Sequence, residues 1–167
     1  MERNTNPYLA LGVRPFINCC SVRTMHGGSL MLPQVRDCAT EFGENTWDEL
    51  NLIQKGRNYG WPLFEGRGDD PRYRNPYVEW HTDEASPSGL AYLDGSLWAG
   101  SLAGQRLWRV PVTTNGVGRP QDYFVGRYGR LRTVVVAPDG NLWVSTSNRD
   151  GRGAPHPGDD RILLVKP

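Results

Sequence analysis

Two stretches of the chain share one pattern of apolar and polar positions. In each, an apolar run leads to an Asp-Gly pair and then to a Leu-Trp pair, as LAYLDGSLWA from Leu90 and as VVAPDGNLWV from Val135. An Asp-Gly pair between apolar runs favours a hairpin, so each stretch predicts two antiparallel strands. The two Asp-Gly pairs lie 45 positions apart, a spacing typical of one blade of a β-propeller.

The repeat continues into a third strand. RLWRV from Arg106 aligns with RILLV from Arg161 once about ten extra residues are allowed in the later copy. The extra residues fall in Asn148 to Gly158, which is rich in Gly, Pro and Asp and is typical of a loop. Each unit therefore has at least three strands, and we expect residues 122–125 to open the later unit.

The rest of the chain is less regular. Residues 15–38 show neither alternation nor a helical period, so we divide the chain into an irregular segment, 1–38, and propeller blades, 39–167. Residues 44–80 form a long connection rich in Trp and Tyr, in which residues 48–55 favour a short helical turn. The predicted fold is all-β, a partial propeller of antiparallel, four-stranded blades that leaves an open ring.

The composition supports one turn-rich globular domain. Of 167 residues, 20 are Gly and 13 are Pro, while six Trp and seven Tyr supply aromatic surface for a core. No apolar stretch reaches the roughly 18 residues that a membrane-spanning helix needs. A net charge of +1 gives no general attraction to nucleic acid. We therefore expect neither a membrane span nor a nucleic-acid partner.

The cysteines and the first residues carry little information. Cys19, Cys20 and Cys38 show neither a CxxC pair nor the spacing of a zinc site. Pairing of Cys38 with one of the other two stays open. Residues 1–20 lack the basic start and apolar centre of a signal peptide, so the sequence leaves the cellular compartment open.

Several motifs resemble those of the glucose/sorbosone dehydrogenase family. They are EFGENTWDELN from Glu41, NYGWP from Asn58, SPSGLAY from Ser86, GSL before LWR, and RLR before APDG. The resemblance covers roughly residues 39–167, the C-terminal half of the family. It implies about half of a six-bladed β-propeller from a soluble quinoprotein that oxidises an aldose at C1 with pyrroloquinoline quinone (PQQ) and calcium. Full-length members are typically exported.

The resemblance also assigns cofactor-binding residues. Arg130 and Arg132 match a pair that grips the carboxylates of PQQ. Residues i and i+2 of a strand share a face, so two guanidinium groups can meet one polycarboxylate. Cross-strand salt bridges on a solvated face are the alternative. Arg14 is a third cofactor contact by the same carry-over, although Pro15 stands where the family has Asn.

Three further residues match positions in the family's calcium site or near its cofactor pocket. Gly43 and Glu44 stand where members offer backbone carbonyls to calcium, which accepts such ligands readily. A simple loop turn at Gly43 is the alternative. Asp48 matches an acidic residue near the cofactor pocket, or it caps the short helical turn predicted after it.

Some positions depart from the family pattern. The general-base histidine belongs to the N-terminal half of the family, and His26, His81 and His156 are not at matching positions, so we assign no catalytic residue. Ala103 replaces a lysine that contacts the quinone. Glu84 replaces a threonine of some members, and its carboxylate would repel an anionic cofactor.

The sequence thus predicts a quinoprotein sugar dehydrogenase that is inactive as this isolated fragment. A non-catalytic, truncated propeller remnant or interaction module is the alternative. A calcium-dependent lactonase would fit the repeat, but the EFGENTWDELN motif argues against it. An open ring leaves a blade face uncovered, so we expect the chain to self-associate through that face.

Overall fold

The computed structural model describes the backbone of residues 21–26 and 34–167, and side chains from residue 37 onward. Twelve strands and no helix lie in these ranges, which confirms the all-β class. The strands are β1 (Ser21–His26), β2 (Gln34–Glu41), β3 (Trp47–Ile53), β4 (Val78–His81), β5 (Pro87–Leu93), β6 (Ser96–Ser101), β7 (Leu107–Thr113), β8 (Gly116–Val117), β9 (Gln121–Tyr123), β10 (Leu131–Val136), β11 (Leu142–Thr146) and β12 (Ile162–Val165).

The strands form three antiparallel sheets. The first has the order β1-β2-β3-β4, the second has β5-β6-β7 with β8 and β9 both paired to β7, and the third has β10-β11-β12. The sheets stack in a row that does not close within the described ranges, so the predicted open arrangement is confirmed. The first sheet has four strands, and the path β5-β6-β7-β9 of the second sheet also has four, as predicted for a blade. The third sheet has three strands.

The two repeated hairpins form as predicted. In the first, Leu93 pairs with Ser96 across a two-residue turn, and both Asp94 (φ 46°) and Gly95 (φ 71°) have left-handed backbone. This is the conformation that a type I′ turn requires. In the second, a longer turn connects β10 to β11, and β12 pairs with β11 as β7 pairs with β6. The extra residues of the later copy form a loop, 147–161.

The residues expected to open the later blade belong to the earlier one instead. β9 pairs with β7, with Tyr123 opposite Leu107. β6 covers only one edge of β7, and a strand added to the other edge satisfies backbone groups that would otherwise stay unpaired. The third sheet therefore begins with β10.

The helical turn predicted for residues 48–55 is wrong, because β3 spans Trp47–Ile53. Both faces of β3 are covered, since Leu50 and the neighbouring Glu49 are each buried. A strand covered on both faces loses the alternation that marks a half-exposed strand. Glu49 Oε1 accepts a hydrogen bond from the Gly66 N–H (2.6 Å), which ties the connection 54–77 to the sheet.

Strands also occur in the segment that lacked a clear pattern. β1 lies within residues 1–38, and residue 38 itself falls inside β2, which pairs with β3 from Asp37 to Glu41. β2 pairs with β1 along one edge and with β3 along the other, and this pairing stabilises it as a strand. Side-chain periodicity does not reveal such pairing. Cys38 is buried in the core. Residues 1–20, with Arg14, Cys19 and Cys20, lie outside the described residues.

The hydrophobic core lies between the sheets in two layers. The layer between the first and second sheets includes Leu50, Trp80, Leu97, Trp108 and Val110. The layer between the second and third sheets includes Trp98, Leu107, Leu131, Val134, Leu142 and Val144. Each layer is apolar and closely packed. This packing holds neighbouring sheets at fixed positions relative to each other.

A glycine allows the second and third sheets to approach closely. A Cβ atom on Gly89 of β5 would lie 2.6 Å from the carbonyl oxygen of Arg132 and still closer to the backbone nitrogen of Val134. Only a residue without a side chain fits there. As a result, the start of β10, where Arg132 lies, is held directly against β5.

Candidate functional site

The strand register brings five loops to the same edge of the stacked sheets. Each loop follows the end of one strand and leads to the start of its antiparallel neighbour, or connects one sheet to the next. The loops are residues 42–46, 82–86, 102–106, 124–130 and 147–161. This loop edge carries nearly all the described residues that the sequence marked as candidates.

Hydrogen bonds connect these loops from sheet to sheet. The carboxylate of Asp48 accepts the Gly43 N–H (2.9 Å) and the Ser86 N–H. The Leu102 N–H donates to the carbonyl of Ser86 (3.1 Å), and the Gly126 N–H donates to that of Gln105 (2.9 Å). The loop edge is therefore one continuous surface across all three sheets.

The two predicted cofactor arginines meet on this edge. Arg130 directs Nε (3.2 Å) and Nη2 (3.1 Å) to Oδ2 of Asp150, and Arg132 directs Nη2 to the same oxygen (2.9 Å). Arg132 also donates from Nε to Ser147 Oγ (2.8 Å). The two guanidinium groups therefore meet at one carboxylate oxygen, in salt bridges of the kind that the sequence offered as the alternative to cofactor binding.

Asp150 is an anion in this arrangement. The N–H group of Arg152, followed by the guanidinium groups of Arg130 and Arg132, lowers the pKa of Asp150 to about 2. The three side chains together then carry a net charge of +1 at neutral pH. This cluster of three side chains therefore keeps one positive charge that an external anion can meet.

The loop with Gly43 and Glu44 wraps around a partly buried acceptor that sequence reasoning missed. Glu65 Oε1 accepts N–H groups from Asn45 (2.8 Å) and Thr46 (3.1 Å). Burial would raise the pKa of Glu65, but four backbone N–H groups, including that of Glu44, outweigh it and lower the pKa. The loop is thus built around one negative charge.

This wrapping sets the direction of two backbone carbonyls. In a trans peptide the C=O points opposite to the N–H. Since the Asn45 N–H points to Glu65, the carbonyl of Glu44 points away from Glu65. The Thr46 N–H has the same direction, so the carbonyl of Asn45 also points away. A backbone carbonyl is a ligand type that a calcium ion accepts.

Asp48 supports the loop edge and caps no helix. It lies at the start of β3, only 1% exposed, and its two hydrogen bonds join the first sheet to the approach to the second. Burial raises the pKa of Asp48 to about 6, against the opposing effect of the Gly43 and Ser86 N–H groups. The alternative reading as a helix cap is wrong because no helix follows.

The residues that depart from the family pattern also lie on or near this edge. Glu84 and Ala103 are exposed on adjacent loops, joined by a hydrogen bond from the Gly104 N–H to the carbonyl of Ala85 (3.1 Å). His81 is exposed and stacks on Trp47, with ring centroids 4.2 Å apart. The side chain of His26 and the whole of Arg14 lie outside the described residues.

A small polar cleft adjoins Arg130. It has a volume of about 90 Å³, and its lining includes Arg130, Asn148, His156, Asp159 and Arg161. His156 thus lies near the arginine pair, in the loop that follows β11. Asn148, Asp150 and Ser147 were not predicted as site residues, and the only sequence signal for them was the insertion in the later repeat.

Two kinds of feature are absent from the part of the chain that the structure describes. No group of three or more His, Cys, Asp or Glu side chains is placed to hold a metal ion in residues 21–26 and 34–167. Within the same ranges there is no helix of the length and apolarity that crossing a membrane requires.

Comparison with known proteins finds relatives over most of the chain. The family described as Glucose / Sorbosone dehydrogenase matches residues 4–163, which extends well before residue 39. Among curated proteins, the chain is 28% identical over 131 residues to the aldose sugar dehydrogenase YliI of Escherichia coli K12. The aligned region makes up 66% of this chain and 35% of that relative.

Solved structures of similar proteins have the same fold. A PQQ-bound aldose sugar dehydrogenase of Streptomyces coelicolor is 52% identical with a TM-score of 0.76, over 78% of this chain and 40% of that one. An oxidoreductase (glucose dehydrogenase) of Thermus thermophilus is 44% identical with a TM-score of 0.70, over 78% and 41%. The chain spans about two fifths of these structures and about a third of the curated relative. These neighbours are β-propellers, which confirms the predicted partial propeller.

Proposed function

Since the chain belongs to the glucose/sorbosone dehydrogenase family, as its motifs predicted, we propose that it forms the cofactor-binding part of a quinoprotein that oxidises an aldose at C1. The proposal takes PQQ and calcium as its cofactors. The PQQ-bound relative from Streptomyces coelicolor supports the first of these. When bound, the pair supplies a hydride acceptor and a Lewis acid.

One observation carries the proposal: Arg130 and Arg132 converge on a single carboxylate oxygen, that of Asp150. Two guanidinium groups that share one carboxylate are arranged to bind a polycarboxylate such as PQQ. With Asp150 ionised, their net positive charge attracts an anion. The role of these arginines here is to bind and orient the cofactor on the loop edge.

The calcium side of the site would be formed by backbone. The carbonyl of Glu44 points away from Glu65, and Asp48 holds the N–H of the neighbouring Gly43. Asp48 acts by positioning this loop, since both its oxygens accept backbone N–H groups. We propose the carbonyls of Gly43 and Glu44 as calcium ligands and Asp48 as their support.

The binding proposal is tested by titrating the purified chain with PQQ in calcium buffer and following PQQ absorbance. The double variant Arg130→Ala, Arg132→Ala should lose binding by at least about tenfold, because two charge-assisted contacts disappear. The control is Arg72→Ala, Arg119→Ala, which removes the same charge from exposed positions. Equal affinity of the two double variants for PQQ would reject the proposed role of the arginine pair.

Turnover by the isolated chain is not expected. No described histidine has a position that matches the family's general base, and Ala103 supplies no cation. Purified protein supplied with PQQ, calcium and glucose should therefore reduce an electron-accepting dye no faster than a metal-free sample. Sugar-dependent dye reduction above that background would contradict the prediction.

The alternative function, an interaction module, is favoured by the outer face of the third sheet. Val135, Trp143 and Leu164 are cross-strand neighbours on this face, and they are 43%, 45% and 52% exposed. Trp143 repeats the position of Trp98, which is 5% exposed because the third sheet packs against it. The repeat thus indicates that another blade-like sheet covers Trp143, and we propose that a second copy of this chain supplies it.

Light scattering tests this association. The chain should be dimeric at micromolar concentration, and Trp143→Ser should be monomeric because the centre of the apolar row is lost. Leu63→Ser is the control, since Leu63 is also exposed but lies apart from this face. A wild-type chain that stays monomeric over the whole concentration range would refute the second-copy proposal.

A further inference from the structure

The loop that makes the second repeat longer than the first surrounds the arginine pair. In the earlier copy, residues 102–106 connect β6 to β7, whereas in the later copy residues 147–161 connect β11 to β12. The sequence predicted the extra residues, Asn148 to Gly158, as a loop. In the structure, the loop 147–161 contacts Arg130 through the side chains of Asn148 and Asp150.

The first set of contacts fixes the side chains. Oδ2 of Asp150 accepts from Arg130 and from Arg132, and it also accepts from the Ser147 hydroxyl (3.2 Å). Ser147 Oγ in turn accepts from Nε of Arg132 (2.8 Å). Oδ1 of Asp150 is held by the Arg152 N–H (3.0 Å). Both guanidinium groups therefore have a fixed orientation, although Arg132 is 37% exposed.

The second set of contacts fixes the backbone. Asn148, only 3% exposed, accepts the Arg130 N–H through Oδ1 (2.8 Å). Its Nδ2 donates to the carbonyl of Tyr128 (2.9 Å) and to Asp159 Oδ2 (3.0 Å). Its own N–H donates to Asp160 Oδ1 (2.6 Å). Asn148 thus ties the approach to β10 to both ends of the inserted loop.

We infer that the loop 147–161 is an orienting device for the anion-binding arginines, with Asp150 and Ser147 as its positioning residues. This rests on the proposed function of Arg130 and Arg132. Two neighbouring cations repel each other and long side chains lose entropy when they bind. Asp150 neutralises one of the two positive charges and orders both guanidinium groups before an anion binds. Each guanidinium group keeps further N–H donors for that anion.

The opposite role is the natural competitor. If Asp150 only blocked the arginines, its removal would strengthen anion binding, since the net charge of the three side chains would rise from +1 to +2. If Asp150 orients them, its removal weakens binding despite the added charge. The two roles therefore predict effects of opposite sign.

The experiment compares PQQ affinity of the full chain and its variants by absorbance titration. Asp150→Asn and Ser147→Ala should each bind PQQ about tenfold more weakly, as expected when long side chains must be ordered at binding. Asp122→Asn is the matched control, because Asp122 also pairs with an arginine, Arg106 (3.3 Å), away from this cluster. Its affinity should stay within about twofold of wild type. Affinity of Asp150→Asn equal to or tighter than that of Asp122→Asn would overturn the inference.

A second readout keeps this inference apart from the proposed function. Nitrogen-15 NMR of the arginine Nε–H groups reports their order without any ligand. The Arg132 Nε–H should be protected from solvent exchange in the wild type and lose protection in both Asp150→Asn and Ser147→Ala. If the wild-type chain fails to bind PQQ but both variants lose this protection, the proposed function is wrong and the orienting role stands. Unchanged protection in both variants would refute the orienting role.

Discussion

Replacing Glu49 by Gln should stabilise the chain at alkaline pH and change little near pH 4.5. Glu49 is 5% exposed beneath the connection 54–77, and it accepts hydrogen bonds from the Gly66 N–H and Asn51 Nδ2. Burial, helped by the nearby carboxylates of Glu41 and Glu79, raises its pKa from 4.5 to about 7. The two hydrogen bonds oppose this rise but do not cancel it.

The sign and size follow from proton binding. Between pH 4.5 and 7 the folded protein keeps a proton on Glu49 that the unfolded chain releases, so stability falls as the pH rises through this window. A rise in pKa from 4.5 to about 7 corresponds to roughly 3 kcal/mol once both states are ionised. A glutamine side chain at this position has no charge to lose, and its carbonyl can still accept the Gly66 hydrogen bond.

Urea unfolding at a fixed protein concentration, repeated from pH 4.5 to pH 8, measures this difference. The stability of Glu49→Gln relative to wild type should increase across the series by roughly 3 kcal/mol. Glu84→Gln, the same change at an exposed position, should show no such trend. A difference between Glu49→Gln and wild type that stays constant with pH would refute the reasoning.

Three further substitutions probe the core, the close contact between the second and third sheets, and a hairpin turn. Leu97→Ala, at a fully buried position, should lower the free energy of unfolding by about 3 kcal/mol in urea, whereas Leu63→Ala, 70% exposed, should change it by less than about 0.5 kcal/mol; similar losses would argue against the described core. Gly89→Ala should cost at least about 1–3 kcal/mol, because its Cβ would collide with the backbone of β10, and it should also weaken PQQ binding; unchanged thermal stability would show that the sheets are not so close. Gly95→Ala should cost about 1 kcal/mol by thermal unfolding, since its φ of 71° disfavours a side chain, and a gain in stability would contradict the left-handed turn.

Local chemistry explains why some elements could be predicted from sequence. The Asp94–Gly95 pair directs a tight turn through its own backbone preferences, and the apolar residues on either side then pair. The same reasoning applies to the hairpin around Gly140. The family motif similarly drew attention to Arg130 and Arg132, whose side chains meet at one carboxylate oxygen in the structure.

Other features depend on neighbours that are distant in sequence. β3 is covered on one face by the second sheet and on the other by the connection 54–77. Its sequence therefore lacks the alternation of a half-exposed strand, and a helical turn was predicted there instead. β9 pairs with β7 because one edge of β7 is not covered by β6. No residue in 121–123 indicates this pairing in the sequence. Asp48 has its role only because Ser86, 38 positions later, brings its N–H to the carboxylate.

The candidate site divides in the same way. The arginine pair that we propose to bind the cofactor could be predicted from the motif, while Asp150, Ser147 and Asn148, which hydrogen-bond to it, could not. Those three belong to a loop whose composition resembles any solvated loop. Only the packing of β10 against β11 brings Arg130 and Arg132 within reach of it.

The amino-acid sequence alone determined the all-β class, the repeated hairpins and the membership of a sugar dehydrogenase family, because turn preferences and motifs act over a few adjacent residues. Tertiary structure alone decided which face of the last sheet stays uncovered, which loops meet on one edge and which carboxylate pairs with the two arginines. These depend on contacts between residues far apart in the chain, and their energies come from burial and charge pairing that exist only after the sheets have stacked.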